Sequence, residues 1–264
     1  MTEAEQLAAF TAGLSEREQL LLESERRAAC EVLSTSQGSP NILGAARAAH
    51  ASAELVREHH LRVLPAERAI ACQEGCHWCC HMKVLATAPE VFALADYLRR
   101  GAGLGVFDRV KARAAALAQD PRIFSTDAKV AAKIPCAVLT ETGACAGYEA
   151  RPLACRGWNA FDAETCRLEL EDDTVFGERN DALARECAAV SLGLVTALAD
   201  AQLPNELLEL TSALHIALSD ETAPARWAAG EPVFARAVLP EGEEIAHETA
   251  SCGADAAVVR SKDV

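Results

Sequence analysis

Four cysteines fall within nine residues, Cys72, Cys76, Cys79 and Cys80, and after 55 residues without one come four more, Cys136, Cys145, Cys155 and Cys166. Nothing else in the chain restricts its fold so strongly, because two sets of thiols far apart in sequence invite one common target. Ligands separated by two residues curl round a tetrahedral ion with thiolate–metal bonds of about 2.3 Å. Cys76 and Cys79 have that separation, and Gly75 before them permits the tight backbone such a loop needs. The doublet Cys79-Cys80 says more. Neighbouring side chains diverge in helix and strand alike, so bringing both thiolates to one small ion strains the backbone. A multi-iron cluster, or two separate ions, gives the second thiolate its own target, which favours either over a single zinc. Burial as small hydrophobes is the bland alternative, but Gln73, Glu74, His77 and Lys83 make the surroundings polar. Dithiol redox chemistry stays open.

Cys30, Cys187 and Cys252 stand apart. Cys187 belongs to an apolar helix face and is expected in the core, as is Cys30, whereas Cys252 is a tail thiol. His77 and His81, four residues apart, bracket the doublet at a helical spacing able to hold a metal; eight thiols already oversupply ligands, so roles outside the metal's own ligands are expected. His50, His59 and His60 lie on a charged stretch and are expected in solvent.

With 25 Lys+Arg against 39 Asp+Glu the net charge is −14. That excludes nucleic acid as a bulk electrostatic partner and an anionic membrane as a docking surface. Eleven cysteines in 264 residues are far fewer than a small disulfide scaffold uses. The acidic MTEAEQLAAF start lacks the basic flank of a secretory signal, and no run of eighteen uncharged apolar residues suggests a membrane span. A reducing cytoplasm is therefore the expected location, where clustered cysteines mean metal or redox chemistry. An alanine-rich chain with 5 % aromatic residues and 10 prolines is expected to be mainly α.

Along the chain, residues 2–36 read as helix in two pieces, with Leu7, Phe10 and Leu14 on one face and Ser15 with Glu18 as a capping box. Ser36–Pro40 is a breaker. Helices are expected from about Ile42 to Val63, after Thr87 to Gly101, from about Val106 to Gln119, and from Asn180 to Asp200. Another should start at Pro204, with Leu207, Leu210, Leu214 and Leu218 aligned. A small hairpin is expected around Thr142-Gly143. The division is then an N-terminal helical segment 1–65, a cysteine-cluster domain 66–175, C-terminal helices 176–240 and a flexible acidic tail 241–264. The fold class is a helical frame around a small cysteine-rich metal-binding centre with a short β-hairpin.

The block CQEGCHWCC, with PCAVL, CAGYEARPLACRGWN and Cys166, resembles the YkgJ-type cysteine-cluster family, the zinc- or iron-chelating CxxCxxCC domain, which has flagellin lysine N-methylases among its relatives. The resemblance runs over about residues 70–170 and rests on Pro135, Cys136, Leu139, Cys145, Tyr148, Arg151, Pro152, Cys155 and Arg156, with Cys166 as the trailing cysteine. Here three residues separate Cys72 from Cys76, where the family's name has two. The resemblance implies a bound metal, as an iron–sulfur cluster in the methylase relatives. It names no catalytic residue.

Four thiolates around a 2+ centre leave a charge of about −2, which hydrogen bonds and nearby cations must offset. Arg151 and Arg156 stand close to Cys155, and Pro152 fixes the turn between them; Tyr148 and Trp158 are candidates to roof the site. The reading is a metal-binding protein holding an iron–sulfur cluster, of the 4Fe–4S type, or zinc. A cluster-dependent protein-modifying enzyme acting on a protein substrate, and a thiol redox or metal-carrier protein, are the alternatives. The sequence displays no glycine-rich strand–turn–helix for a second cofactor.

Overall fold

The computed structural model describes residues 11–34, 40–101 and 103–239. The readings placed on Leu7, Phe10, Ser36 to Ser39, Cys252 and the tail 241–264 lie outside these residues. The described part is mainly α, with ten helices and one two-stranded sheet.

Helix α1 (Glu16–Ser34) begins at the expected capping box. The Ser15 N–H donates to the Glu18 carboxylate at 2.7 Å and the Glu18 N–H to Ser15 Oγ at 3.3 Å. Helix α2 (Ile42–Val63) starts on an Asn41 side-chain cap and stops at Leu64, ahead of Pro65. The third helix, α3 (Ala88–Gly101), opens after Thr87, whose N–H and hydroxyl both donate to the Glu90 carboxylate at 2.8 Å. Then come α4 (Leu104–Leu117), α5 (Thr126–Ala131), α6 (Leu153–Gly157), α7 (Ala163–Glu171), α8 (Asp181–Asp200), α9 (Leu210–Ser219) and α10 (Ala223–Ala228).

Helix α8 is the hub, packing against α1, α2 and α6. It is long and apolar enough to cross a membrane, with a mean hydropathy of 1.5, but 56 % of that stretch is buried inside the protein. Leu183, Val190, Leu194 and Leu198 are all fully buried on it, the face its spacing predicts. Gly193 allows a close crossing with α1, since a Cβ there would stand 2.5 Å from the Leu22 carbonyl oxygen. One contiguous apolar core runs from Ala29 to Ala237.

The sheet joins β1 (Leu85–Ala86) antiparallel to β2 (Leu208–Glu209), with Leu85 opposite Glu209 and Ala86 opposite Leu208. It explains a correction. The helix expected from Pro204 opens instead at Leu210, because Leu208 and Glu209 are drawn into the sheet and Glu209 caps the helix through the Ser212 N–H at 2.7 Å. The chain does fold back around Thr142-Gly143, where a single antiparallel bridge links Leu139 to Cys145.

Two histidines also need correcting. His50 and His60 are buried on α2, in line with the stripe Ala46, Ala49, Ala53 and Val56; His59 is half-buried. Burial pushes the His50 imidazole down to about 3, helped by the neighbouring Arg156 and Arg151 charges.

Candidate metal centre

The front block is laid down by short turns. Gly75 adopts φ +92° and the Cys76 N–H donates to the Gln73 carbonyl at 3.1 Å, as a loop between closely spaced ligands requires. A 3-10 turn at Trp78–His81 then carries both members of the doublet. At its start the block is tied to the far end of the region. Ala71 N–H donates to the Ala160 carbonyl at 2.9 Å, and Ala160 N–H to Cys72 Sγ at 3.2 Å.

The second set is brought in by backbone bonds of the same kind. The Cys136 N–H donates to the Cys80 carbonyl at 2.7 Å, joining the two sets directly. Cys145 sits on the hairpin, closed by Thr140 N–H to the Ala144 carbonyl at 2.8 Å. The hairpin rests on the front block, because a Cβ on Gly143 would meet the His77 ring at 3.0 Å. Cys155 lies in α6, whose first turn is held by buried Glu90: the Leu153 N–H donates to Glu90 Oε1 at 2.7 Å. Cys166 lies in α7, which packs on the 78–81 turn. All eight thiols are half-buried and free.

Their electrostatics converge on Cys79. A hydrogen bond with the Cys80 thiol holds Cys79 below the ordinary thiol range, against burial, and the Arg179 and Arg151 charges act in the same direction. The same bond, with burial, pushes Cys80 up. Burial raises the others, Cys145 to about 11 and Cys166 to about 12. The charge on Cys79 acts on Cys72, Cys76, Cys136, Cys145 and Cys155 as well. Among the described residues, no three Cys, His, Asp or Glu side chains stand as a set able to hold one ion; the thiols are gathered in one place without being closed round a single point.

The cations are placed partly as expected. The Arg151 charge acts on Cys79, Cys145 and Cys155, and its guanidinium lies over the Tyr148 ring at 3.8 Å while donating to the Tyr148 carbonyl at 2.8 Å. Arg156 is buried and acts on the backbone: its guanidinium donates to the Arg151 carbonyl at 3.0 Å and to the Glu149 carbonyl, and pairs with Glu54 at 3.5 Å. It clips the turn that presents Cys155. Trp158 stacks under the Arg179 guanidinium at 4.4 Å.

Three further cations went unread in the sequence. The Arg179 charge acts on Cys79 and Cys166, the Arg57 charge on Cys72, and the charge of buried Lys129 on Cys136, Lys129 also donating to the Met82 carbonyl at 2.9 Å. Their only signal is a positive charge in a chain whose net charge is −14, and nothing in their spacing ties them to the thiols. His77 stacks on Trp78 at 4.3 Å, and His81 Nδ1 lies 3.3 Å from the Trp78 carbonyl. Cys187 is buried in the core, while Cys30 sits half-buried at its rim, its Sγ 3.8 Å from the Asp200 carboxylate.

The donor chemistry suits a soft metal. Eight thiols gather near Arg57, Lys129, Arg151 and Arg179, and unloaded thiols gain little from such company, whereas thiolates on a metal need it. No curated protein and no solved structure matches the chain at a significant level. Residues 71–187 match the CxxCxxCC family, described as "Putative zinc- or iron-chelating domain". That span begins at the residue before Cys72 and takes in all eight thiols, so the cysteine-bearing part of the chain is similar to that putative zinc- or iron-chelating domain.

Proposed function

We propose that Cys72, Cys76, Cys79, Cys80, Cys136, Cys145, Cys155 and Cys166 supply the thiolates for a soft metal centre, with iron–sulfur chemistry preferred to a lone zinc ion. The observation that carries this is the joining of the two cysteine sets by the Cys136 N–H bond to the Cys80 carbonyl at 2.7 Å, with the Cys145 hairpin resting on the His77 ring of the front block. A single tetrahedral ion takes four thiolates, and this region offers twice that number. Arg151 and Arg179 lower the cost of charge at the doublet, and Tyr148 supports Arg151 from beneath. Arg156 holds the turn carrying Cys155. An iron–sulfur cluster would supply one-electron chemistry with a potential set by this charge and burial. Such thiols are at home in a reducing compartment.

Metal and acid-labile sulfide analysis, with an absorption spectrum, on protein purified without oxygen and without a histidine tag tests the reading. Iron and sulfide in equal amounts, with a visible band that bleaches under dithionite, are expected. Zinc without sulfide would overturn the preference for iron–sulfur chemistry, and protein without metal would overturn the whole reading.

A further inference from the structure

Helix α4 turns one stripe of side chains towards the hairpin. Val106, Arg109, Val110 and Arg113 follow one another at intervals of three or four residues and share a face of it. With Leu139, Glu141 and Thr142 opposite, they line a cavity of about 270 Å³. That is just below the roughly 300 Å³ at which sites for drug-sized ligands begin, so a molecule that fits here is smaller.

The floor of the cavity is aliphatic: Val110 and Leu139 are buried and Val106 is half-buried. Its polar groups are engaged unevenly. Arg113 is half-buried and donates to the Leu139 carbonyl from one end of its guanidinium. Arg109, one turn away and exposed, makes no ion pair or hydrogen bond among the described residues. In a chain of net charge −14 that is out of pattern. Arginines elsewhere find carboxylates, Arg17 with Glu186 at 2.7 Å, and Arg122 with Asp120 and Arg167 with Glu164 at 2.6 Å. Like charges one helical turn apart also repel each other, so an anion between the two guanidinium groups relieves a standing cost. Glu141 lines the same cavity, exposed and without an ion pair among the described residues.

We infer that this cavity binds a small monocarboxylate with an aliphatic body. The carboxylate sits between Arg109 and Arg113, whose planar sets of donors suit it, and the aliphatic part covers Val106, Val110 and Leu139. Glu141 stands against a second negative charge, so dianions are disfavoured. Nothing in this depends on what the thiols bind. The cavity nevertheless shares a wall with them: Leu139 is bridged to Cys145 across the hairpin, and Arg113 ties the same residue to α4.

Calorimetric titration of the full-length protein, prepared without oxygen, with isocaproate, its uncharged amide isocaproamide and inorganic phosphate tests it. Isocaproate should bind saturably in the millimolar range or below, and the other two at least about tenfold more weakly. Arg109→Gln should weaken isocaproate about tenfold, with Arg109→Lys losing less, and Glu141→Gln should strengthen it. Both positions are exposed and unpaired, so these variants should fold, as matching circular dichroism will show. No saturable binding of isocaproate to the wild type overturns the site. Equal binding of the amide overturns the carboxylate assignment, and equal binding of phosphate overturns the aliphatic one. Undiminished binding by Arg109→Gln places the carboxylate elsewhere, on a metal for instance, and overturns the assignment to this cavity.

Discussion

Glu90 joins three donors that would otherwise be stranded in the core. It accepts from the Thr87 N–H and hydroxyl, both at 2.8 Å, and from the Leu153 N–H at 2.7 Å. Glu90→Ala leaves all three buried and unpaired, at a cost of about 3 kcal/mol in urea unfolding, with Glu90→Gln losing less. Glu25 behaves differently. It is buried with one oxygen bonded to Ser52 Oγ at 2.6 Å and the other unpartnered, and burial raises its carboxyl to about 7. Between pH 4.5 and 7 the folded chain keeps this proton while the unfolded chain loses it, so the group costs stability as pH rises. Relative to wild type, Glu25→Gln should therefore gain about 3 kcal/mol across that window, measured as unfolding free energy against pH; a constant difference would refute it. His50, depressed to about 3, has the opposite sign: its contribution is present above pH 6.5 and lost as pH falls towards 3. Cys187→Ser should leave the metal content intact, whereas Cys79→Ser and Cys155→Ser should lower it.

At the level of elements, the sequence was most readable where periodicity and caps agree. The bounds of α2 and α8, and the Ser15–Glu18 capping box, follow from spacing alone. Elements made by pairing were not readable: β1 and β2 have two residues each, too few for an alternating pattern, and lie far apart in the chain. Their bonds come only with the assembled fold. His50 and His60 were hidden by their charged neighbours, although the stripe through Ala46, Ala49, Ala53 and Val56 places both inward. The joining of the two cysteine sets was legible in their clustering; the roles of Lys129 and Arg179 beside them were not, because they arise only in the tertiary fold. The α1–α8 crossing gives a test of sign. Glycine to alanine ordinarily gains about 1 kcal/mol inside a helix. At Gly193 a methyl would meet the Leu22 carbonyl at 2.5 Å and Glu25 Cβ at 2.8 Å. Gly193→Ala should therefore destabilise by about 2 kcal/mol, read as a lower Tm.

For the whole molecule, the apolar core and the thiol region support the chain differently. The core from Ala29 to Ala237 is closed by α8 and its neighbours, while the hairpin, α6 and α7 are held by a few backbone ties and by whatever the thiols bind. Metal binding that orders these segments adds to folding free energy. Stripping the metal with a strong chelator under reducing conditions should expose residues 136–175 to limited proteolysis, leaving α1, α2 and α8 protected. Uniform cleavage, or none, would separate the centre from the integrity of this region.

The Cys136–Cys80 tie also has a consequence in time. A ribosome adding about 5–20 residues per second completes Cys80 roughly 3–11 s before Cys136. For that interval the front four thiols have none of their later companions, and the 55-residue stretch up to Cys136 has α3, α4 and α5 still to form. The newborn segment thus passes through a period in which oxidants and stray ions compete for it, so protection of nascent thiols is part of making this protein.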